Sequence, residues 1–286
     1  MNQTDSASDS SFSPFRCGRF KLSLHRPLIM GILNLTPDSF SDGGRIGSLE
    51  AAIERAQTLI DQGADILDLG AESTRPGAAP VPESEELRWL VPLIEALRTY
   101  QVPLSIDTRK PRVMRAVLQA GADMINDVGG FRLPEAVAAV ADSACGLCVM
   151  HMRGEPATMQ HRPVYGDVIE EVGLFLSDRV RTLVSAGIDR ARIVIDPGIG
   201  FGKTLSHNLA LLAAGARLGA IAPVLVGVSR KSMLGELTGR PVDQRLAASL
   251  SAALAALSRG ARIVRVHDVA QTRDAIAVWQ AIAEAG

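Results

Sequence analysis

The chain has 286 residues, of which 47% are hydrophobic and only 4% aromatic, and it carries a net charge of −1. These values exclude a small disulfide-stapled fold and give no ground for a general affinity for nucleic acid or anionic membrane. No apolar run is long enough to span a bilayer, and residues 1–14 (MNQTDSASDSSFSP) lack the basic start and apolar core of a secretory signal, so that segment reads as a disordered tail and the cytoplasm as the default location.

The segment FRCGRFKLSLH, residues 15–25, alternates weakly around Gly18 and predicts a two-stranded hairpin. Strand–helix alternation follows. Strands are expected at 28–33, 65–70, 103–107, 123–127, 146–151, 192–196, 223–229 and 262–267. Helices are expected between them at 49–61, 84–99, 111–119, 134–140, 165–186, 205–214, 242–258 and 269–283. Proline near several helix starts and glycine just past several ends fit the usual asymmetry of helix termini. A short repeat supports the pattern: a helix end, a glycine, a small or apolar residue and a new strand occur at Gly63, Gly121, Gly187 and Gly260. Glycine there supplies a left-handed cap.

The strands are short and aliphatic rather than alternating, as in parallel strands covered on both faces. Eight such units in about 250 residues match a (β/α)8 barrel. The expected fold is therefore α/β, a TIM barrel over residues 15–286 opened by an N-terminal β-hairpin. An open doubly wound sheet would carry a G-x-G-x-x-G fingerprint in the first strand-to-helix loop. That loop, residues 34–47, is long and polar and has none.

RIVIDPGIGFGKT, residues 192–204, is the stretch around which the rest is organised: a β-branched strand, a terminal carboxylate at Asp196, then a glycine-rich loop with Phe201 and Lys203. It is not a phosphate-binding P-loop, because the glycine needed five residues before Gly202 is Pro197. Cys145 and Cys148 form C-G-L-C, but the pair leads into a strand rather than a helix N-terminus, so buried core thiols are expected instead of a redox pair.

In a barrel the chemistry sits at the C-terminal strand ends. Those ends carry Asn34, Glu72, Asp107, Asn126, Asp196, then Ser229, Arg230 and Lys231, then Arg265 and His267. Solvent contact explains some polarity there, and Asp107 paired to Arg109 or His267 bonded to Asp268 are the plain alternatives. The segregation of acids and amides from bases instead suggests a two-part substrate. Asp107, Asn126 and Asp196 could hold a flat heterocycle by its N–H edge, since a bare buried carboxylate costs several kcal/mol and such polar matching is highly selective. Lys231 could reach a ring carbonyl or nitrogen. Arg265 and His267 lie two apart on one strand face and, with Asn34, suit phosphate or diphosphate. Two long Gly/Pro/Ser-rich loops, residues 36–48 and 73–82, could close over the site or be plain surface loops.

Taken together, Asn34-Leu-Thr-Pro-Asp-Ser-Phe-Ser-Asp-Gly-Gly and Glu72-Ser-Thr-Arg-Pro-Gly resemble the two signature loops of the dihydropteroate synthase family. Ser105-Ile-Asp-Thr, Ile125-Asn-Asp, Asp196-Pro-Gly-Ile-Gly-Phe-Gly-Lys, Ser229-Arg-Lys and Arg265-Val-His-Asp resemble its remaining strand-end motifs in order. The resemblance covers residues 15–285. Leu35 and Ala71 stand where smaller residues are commoner, and no matched position departs. The resemblance implies a usually homodimeric transferase of folate biosynthesis. It would join 6-hydroxymethyl-7,8-dihydropterin diphosphate to p-aminobenzoate, giving dihydropteroate and diphosphate, with Mg2+ as cofactor and sulfonamides as inhibitors.

Carried over residue by residue, the resemblance implies that Thr74, Asp107, Asn126, Asp196, Lys231, Arg265, Val266 and His267 bind the pterin diphosphate. Thr74, Arg75, Pro76, Phe201 and Ser232 would shape the p-aminobenzoate pocket, and Asn34 would help hold the metal. Asp107, Asp196 and Lys231 would act in catalysis, assisted by Asp38 and Asp42. Two rival readings are a pterin-binding methyltransferase domain and a binding module without turnover. Arg265, His267 and the Ser-Thr-Arg-Pro loop argue against the first, and the complete ligand set against the second.

Overall fold

The aliphatic runs pair in parallel and close on themselves. In a computed structural model of the chain, residues 13–35, 48–72, 80–154, 159–160 and 162–285 are described. The strands are β1 (Phe15–Cys17), β2 (Phe20–Leu22), β3 (Leu28–Asn34), β4 (Ile66–Gly70), β5 (Leu104–Asp107), β6 (Met124–Asp127), β7 (Gly146–Met150), β8 (Ile193–Asp196), β9 (Val224–Gly227) and β10 (Ala261–Val266). β3 to β10 form a closed barrel in chain order, with β10 pairing back onto β3 in parallel. The helices are α1 (Leu49–Asp61), α2 (Glu83–Leu97), α3 (Pro111–Ala120), α4 (Pro134–Val140), α5 (Val168–Ser185), α6 (Leu205–Ala213), α7 (Gly215–Gly219), α8 (Ser232–Thr238), α9 (Leu246–Ser258) and α10 (Val269–Glu284). The expected barrel with its hairpin is the fold found.

The helix boundaries follow from capping chemistry. α5 starts three residues later than expected because the Asp167 carboxylate accepts from Ile169 N and Glu170 N, an N-cap that fixes the first turn. α9 begins at Leu246 rather than at 242, since Val242–Gln244 forms a separate 3-10 turn. Two short helices, α7 and α8, were not expected; unlike the seven-residue α4, neither opens on a proline. The four repeat glycines all adopt left-handed backbone, with φ of 93°, 114°, 86° and 102° at Gly63, Gly121, Gly187 and Gly260.

Side chains on a barrel strand alternate between the interior and the helix layer. Leu28 and Met30, Ile66, Met124, Cys148, Val194, Leu225 and Ile263 form one apolar cluster together with Phe15, Cys17 and Leu24 of the hairpin region. The hairpin thus plugs the N-terminal end of the barrel. A Cβ at Gly146 would lie 2.7 Å from the Phe15 ring, so glycine makes room for the plug. Arg19 locks it in place through Nε and Nη2 to the buried Asp123 carboxylate, both at 2.9 Å. The intervening strand residues pack outward against the helices in a second, larger core. All three cysteines are free and buried, and burial raises the pKa of each thiol, opposite to what a reactive C-x-x-C requires.

Candidate active site

Above the apolar plug the same alternation brings polar side chains into the barrel. Two residues along from Ile66 comes Asp68. Asp107 follows Ser105, Asn126 follows Met124, Asp196 follows Val194 and Arg265 follows Ile263. Strand register sets their heights: Asp68 pairs with Ser105, one layer down, and Asp107 pairs with Asn126, one layer up. The polar layer therefore lies at the C-terminal mouth, where barrel chemistry is expected.

Arg265 ties the layer together. Its Nε donates to Asp68 Oδ2 at 2.6 Å and its Nη2 to Asp107 Oδ2 at 2.9 Å. Asn126 Nδ2 donates to the same Asp68 oxygen at 3.3 Å, and Ser105 Oγ donates to Asp68 Oδ1 at 2.7 Å. Asp107 Oδ1 is buried and accepts from no described group. Burial raises the Asp107 carboxyl to a pKa of about 7 against the pull of Arg265, with Asp68 adding to the rise. Burial opposes charge on Arg265 too, but Asp68 and Asp107 outweigh it and hold the guanidinium above its ordinary range. Gly70 lies beside Asp107: a Cβ there would make ordinary contact, 3.5 Å from the Asp107 Cβ and 3.9 Å from Asn34 Oδ1.

Asp196 closes β8 and accepts from Gly198 N at 2.7 Å. Burial raises its pKa, while Lys231, Lys203 and Arg265 draw it down. Lys231 follows the β9 end. Burial lowers its pKa to about 8, and both Asp196 and Asp107 counter that shift, so the three charges share one environment. The Lys231 ammonium lies 4.1 Å from the Phe201 ring centroid, a cation–π contact. The glycine loop makes this approach possible. At Gly198, φ is 69° and a Cβ would fall 1.9 Å from the His151 carbonyl oxygen; at Gly200 it would press on the Lys231 stem. Lys203 is buried beneath the loop, with Nζ 2.9 Å from His151 Nδ1 and 3.0 Å from the Phe201 carbonyl. Burial depresses the pKa of Lys203 to about 7 and that of His151 to about 3.

At the same C-terminal rim, round the barrel past β9 and β10, Asn34 is exposed at the end of β3. His267 Nδ1 lies 3.0 Å from Ser229 Oγ. Val266 puts its side chain into the outer core, so only its backbone can face a ligand. Ser232 opens α8 and edges a cavity of about 310 Å³ shared with Gly200, Lys203 and Asn208. A separate hollow beside His25, Arg262 and Trp279 lies at the far end of the barrel and contains none of the polar layer. Asp38, Asp42, Thr74, Arg75 and Pro76, like most of the two long loops, fall outside the described residues.

The plain alternatives for two residues do not hold. Asp107 pairs with Arg265, while Arg109 lies 3.6 Å from Glu72. Asp268 takes the Arg230 guanidinium instead of pairing with His267. One expectation needs correcting: acids and bases are not segregated, because Arg265 reaches down between Asp68 and Asp107. Asp68 itself was missed. It interrupts the aliphatic run Ile66-Leu67-Asp68-Leu69, and a carboxylate inside a buried strand is costly unless partnered. That interruption was the available signal.

Comparison with known proteins gives the family. Residues 30–267 match the pterin binding enzyme family. The chain is 46% identical to the dihydropteroate synthase of Haemophilus influenzae over 92% of this chain and 97% of that one. It is similar to the Burkholderia cenocepacia dihydropteroate synthase solved with 7,8-dihydropteroate (54% identity, TM-score 0.87, 96% and 97% of the two chains). It is also similar to the Xanthomonas albilineans dihydropteroate synthase solved with 4-aminobenzoic acid (51% identity, TM-score 0.89, 95% and 99%). The chain belongs to the pterin-binding enzymes and, among them, to the dihydropteroate synthases.

Proposed function

We propose that the barrel mouth grips the pterin ring of 6-hydroxymethyl-7,8-dihydropterin diphosphate with Asp107, Asn126, Asp196 and Lys231, and joins its methylene carbon to p-aminobenzoate. The observation that carries this assignment is Asp107 Oδ1, a buried acceptor with no described donor, in register with the buried amide of Asn126. A heterocycle presenting parallel N–H groups would satisfy these acceptors. Lys231 would donate to the ring's carbonyl or nitrogen. Arg265, His267, Thr74 and the Val266 backbone would contact the pterin diphosphate. Phe201, Ser232, Thr74, Arg75 and Pro76 would form the aminobenzoate pocket.

The step follows from charge. The C–O bond to diphosphate breaks, the electron pair leaves with the phosphate, and positive charge develops on the pterin methylene and ring. Asp107 and Asp196 favour that cation electrostatically. The arylamine lone pair, free at neutral pH, then forms the C–N bond, and the nitrogen sheds its proton to solvent. No strong general base is needed. A series of p-substituted anilines tests this: a rate nearly independent of amine basicity is expected, and a steep dependence would instead support direct displacement.

Mg2+ would enter as an ion carried on the diphosphate. Among the described residues no group of three or more His, Cys, Asp or Glu could cage a metal, whereas Asn34 offers one oxygen at the rim, and Mg2+ commonly takes few protein ligands beside phosphate oxygens. When bound it would neutralise charge on the leaving group; Asp38 and Asp42 would assist near it. Chelation should abolish turnover and added Mg2+ restore it. The working unit would be a homodimer, with α9 as the contact face; Leu237, Val242 and Leu246 are exposed at or near its start. Light scattering of the purified chain should give twice the chain mass. A cytoplasmic location would suit three free, buried thiols, and sulfonamides should compete with p-aminobenzoate.

A further inference from the structure

We propose that Asp68 is a positioning residue that fixes the amide orientation of Asn126 and the direction of Arg265, and through them the preference of the mouth for a ring edge that donates N–H; this rests on the pterin reading above. Asp68 is fully buried, one side-chain layer below Asp107 and Asn126. It faces no solvent and lies too deep to touch a ring held by the upper layer. Its carboxylate nevertheless receives three side-chain donors: Ser105 Oγ on Oδ1, and Arg265 Nε and Asn126 Nδ2 together on Oδ2.

The consequence for Asn126 is geometric. An ionised carboxylate only accepts, so the amide must turn its NH2 toward Asp68. Oδ1 is thereby turned away from Asp68 and presented as an acceptor. Without that constraint the amide could rotate by a half turn and present donors instead. Asn126 then joins Asp107, its register partner, in one acceptor surface. Arg265 is constrained in the same way. With Nε on Asp68 and Nη2 on Asp107, the guanidinium plane is set by two carboxylates on neighbouring strands. Its remaining N–H groups are left for a ligand.

The test compares wild type with Asp68→Asn, using calorimetry with 6-hydroxymethylpterin and with its analogue carrying oxygen in place of the 2-amino group. An asparagine cannot accept three donors, so Asn126 is free to flip. Wild type should prefer the amino compound, and the variant should lose that preference by roughly tenfold or more. The KM for p-aminobenzoate should stay within about twofold. A purely structural role would not move the pH profile. Asp107 is faced by Asp68, Asp127, Glu86, Arg265 and Lys231, so removing the Asp68 charge should shift the acid limb of kcat/KM for the pterin diphosphate to lower pH.

Unchanged discrimination with an unchanged acid limb overturns the proposal, as does an equal loss toward both ligands accompanied by a fall in Tm. If Asp68→Asn does not fold, Ser105→Ala carries the test, since it removes only the hydroxyl on Oδ1. A several-fold loss of discrimination at normal Tm supports the role, and none overturns it. Failure of wild type to bind 6-hydroxymethylpterin at all would sink the pterin reading itself, which separates the two.

Discussion

Replacing Asp107 by asparagine should change how stability depends on pH. The Asp107 carboxyl is raised from an ordinary 3.8 to about 7 by burial. The folded chain therefore holds a proton that the unfolded chain has released. For a carboxyl raised in this way, the linked stabilisation is fully present below pH 3.8 and is lost as pH rises through about 7. Between about pH 5 and about pH 8 the loss amounts to about 2.5 kcal/mol. Urea denaturation of ligand-free wild type and Asp107→Asn across that range isolates it, because most other titrations cancel in the difference. Wild type should lose about 2.5 kcal/mol relative to the variant on going to the alkaline side. The same proton links to binding. A ring that donates N–H to Oδ1 favours the ionised form, so 6-hydroxymethylpterin should bind more tightly as pH rises toward 7, with proton release. Parallel stability curves for the two proteins would refute the reasoning.

Three further outcomes follow from the same contacts. Lys231→Met should lower kcat/KM for the pterin diphosphate by roughly 100-fold, the scale of losing one preorganised donor, and steady-state kinetics will show it. Phe15→Ala, which empties a site only 1% exposed at the barrel floor, should cost about 3–5 kcal/mol in chemical denaturation. The activity per folded molecule should stay near wild type, because the plug lies at the end away from the site. Gly198→Ala should abolish turnover, since its Cβ would fall 1.9 Å from the His151 carbonyl at a φ of 69°. Normal kinetics for this variant would contradict the close seating of the loop.

Much of the fold was legible because its signals are local. The glycines that end helices, the aliphatic strands and the carboxylates at strand ends each lie within a few residues of what they determine. Asp107, Asn126 and Asp196 could be read as one cluster because a barrel brings all its strand ends to one rim. What escaped is non-local. Arg265 meets Asp68 across 197 residues, and nothing near either residue indicates that the guanidinium points into the barrel rather than out toward a phosphate. Asp68 was hidden because attention to strand ends passes over the interior of a strand. Lys203 looked like part of a loop motif, yet it is buried against His151 as the support of the Phe201 loop. The short helices α7 and α8 lack the opening proline that marks the seven-residue α4.

The central claim is that four side chains, three at strand ends and Lys231 just beyond β9, make a single grip on the pterin. Dihydropteroate formation by wild type and by Asp107→Asn, Asn126→Ala, Asp196→Asn and Lys231→Met, with each substrate varied in turn, tests it most directly. Each substitution should lower kcat/KM for the pterin diphosphate by roughly 100-fold or more while leaving the KM for p-aminobenzoate within a few-fold. Wild-type kcat/KM for the pterin diphosphate in any of the four would contradict the account.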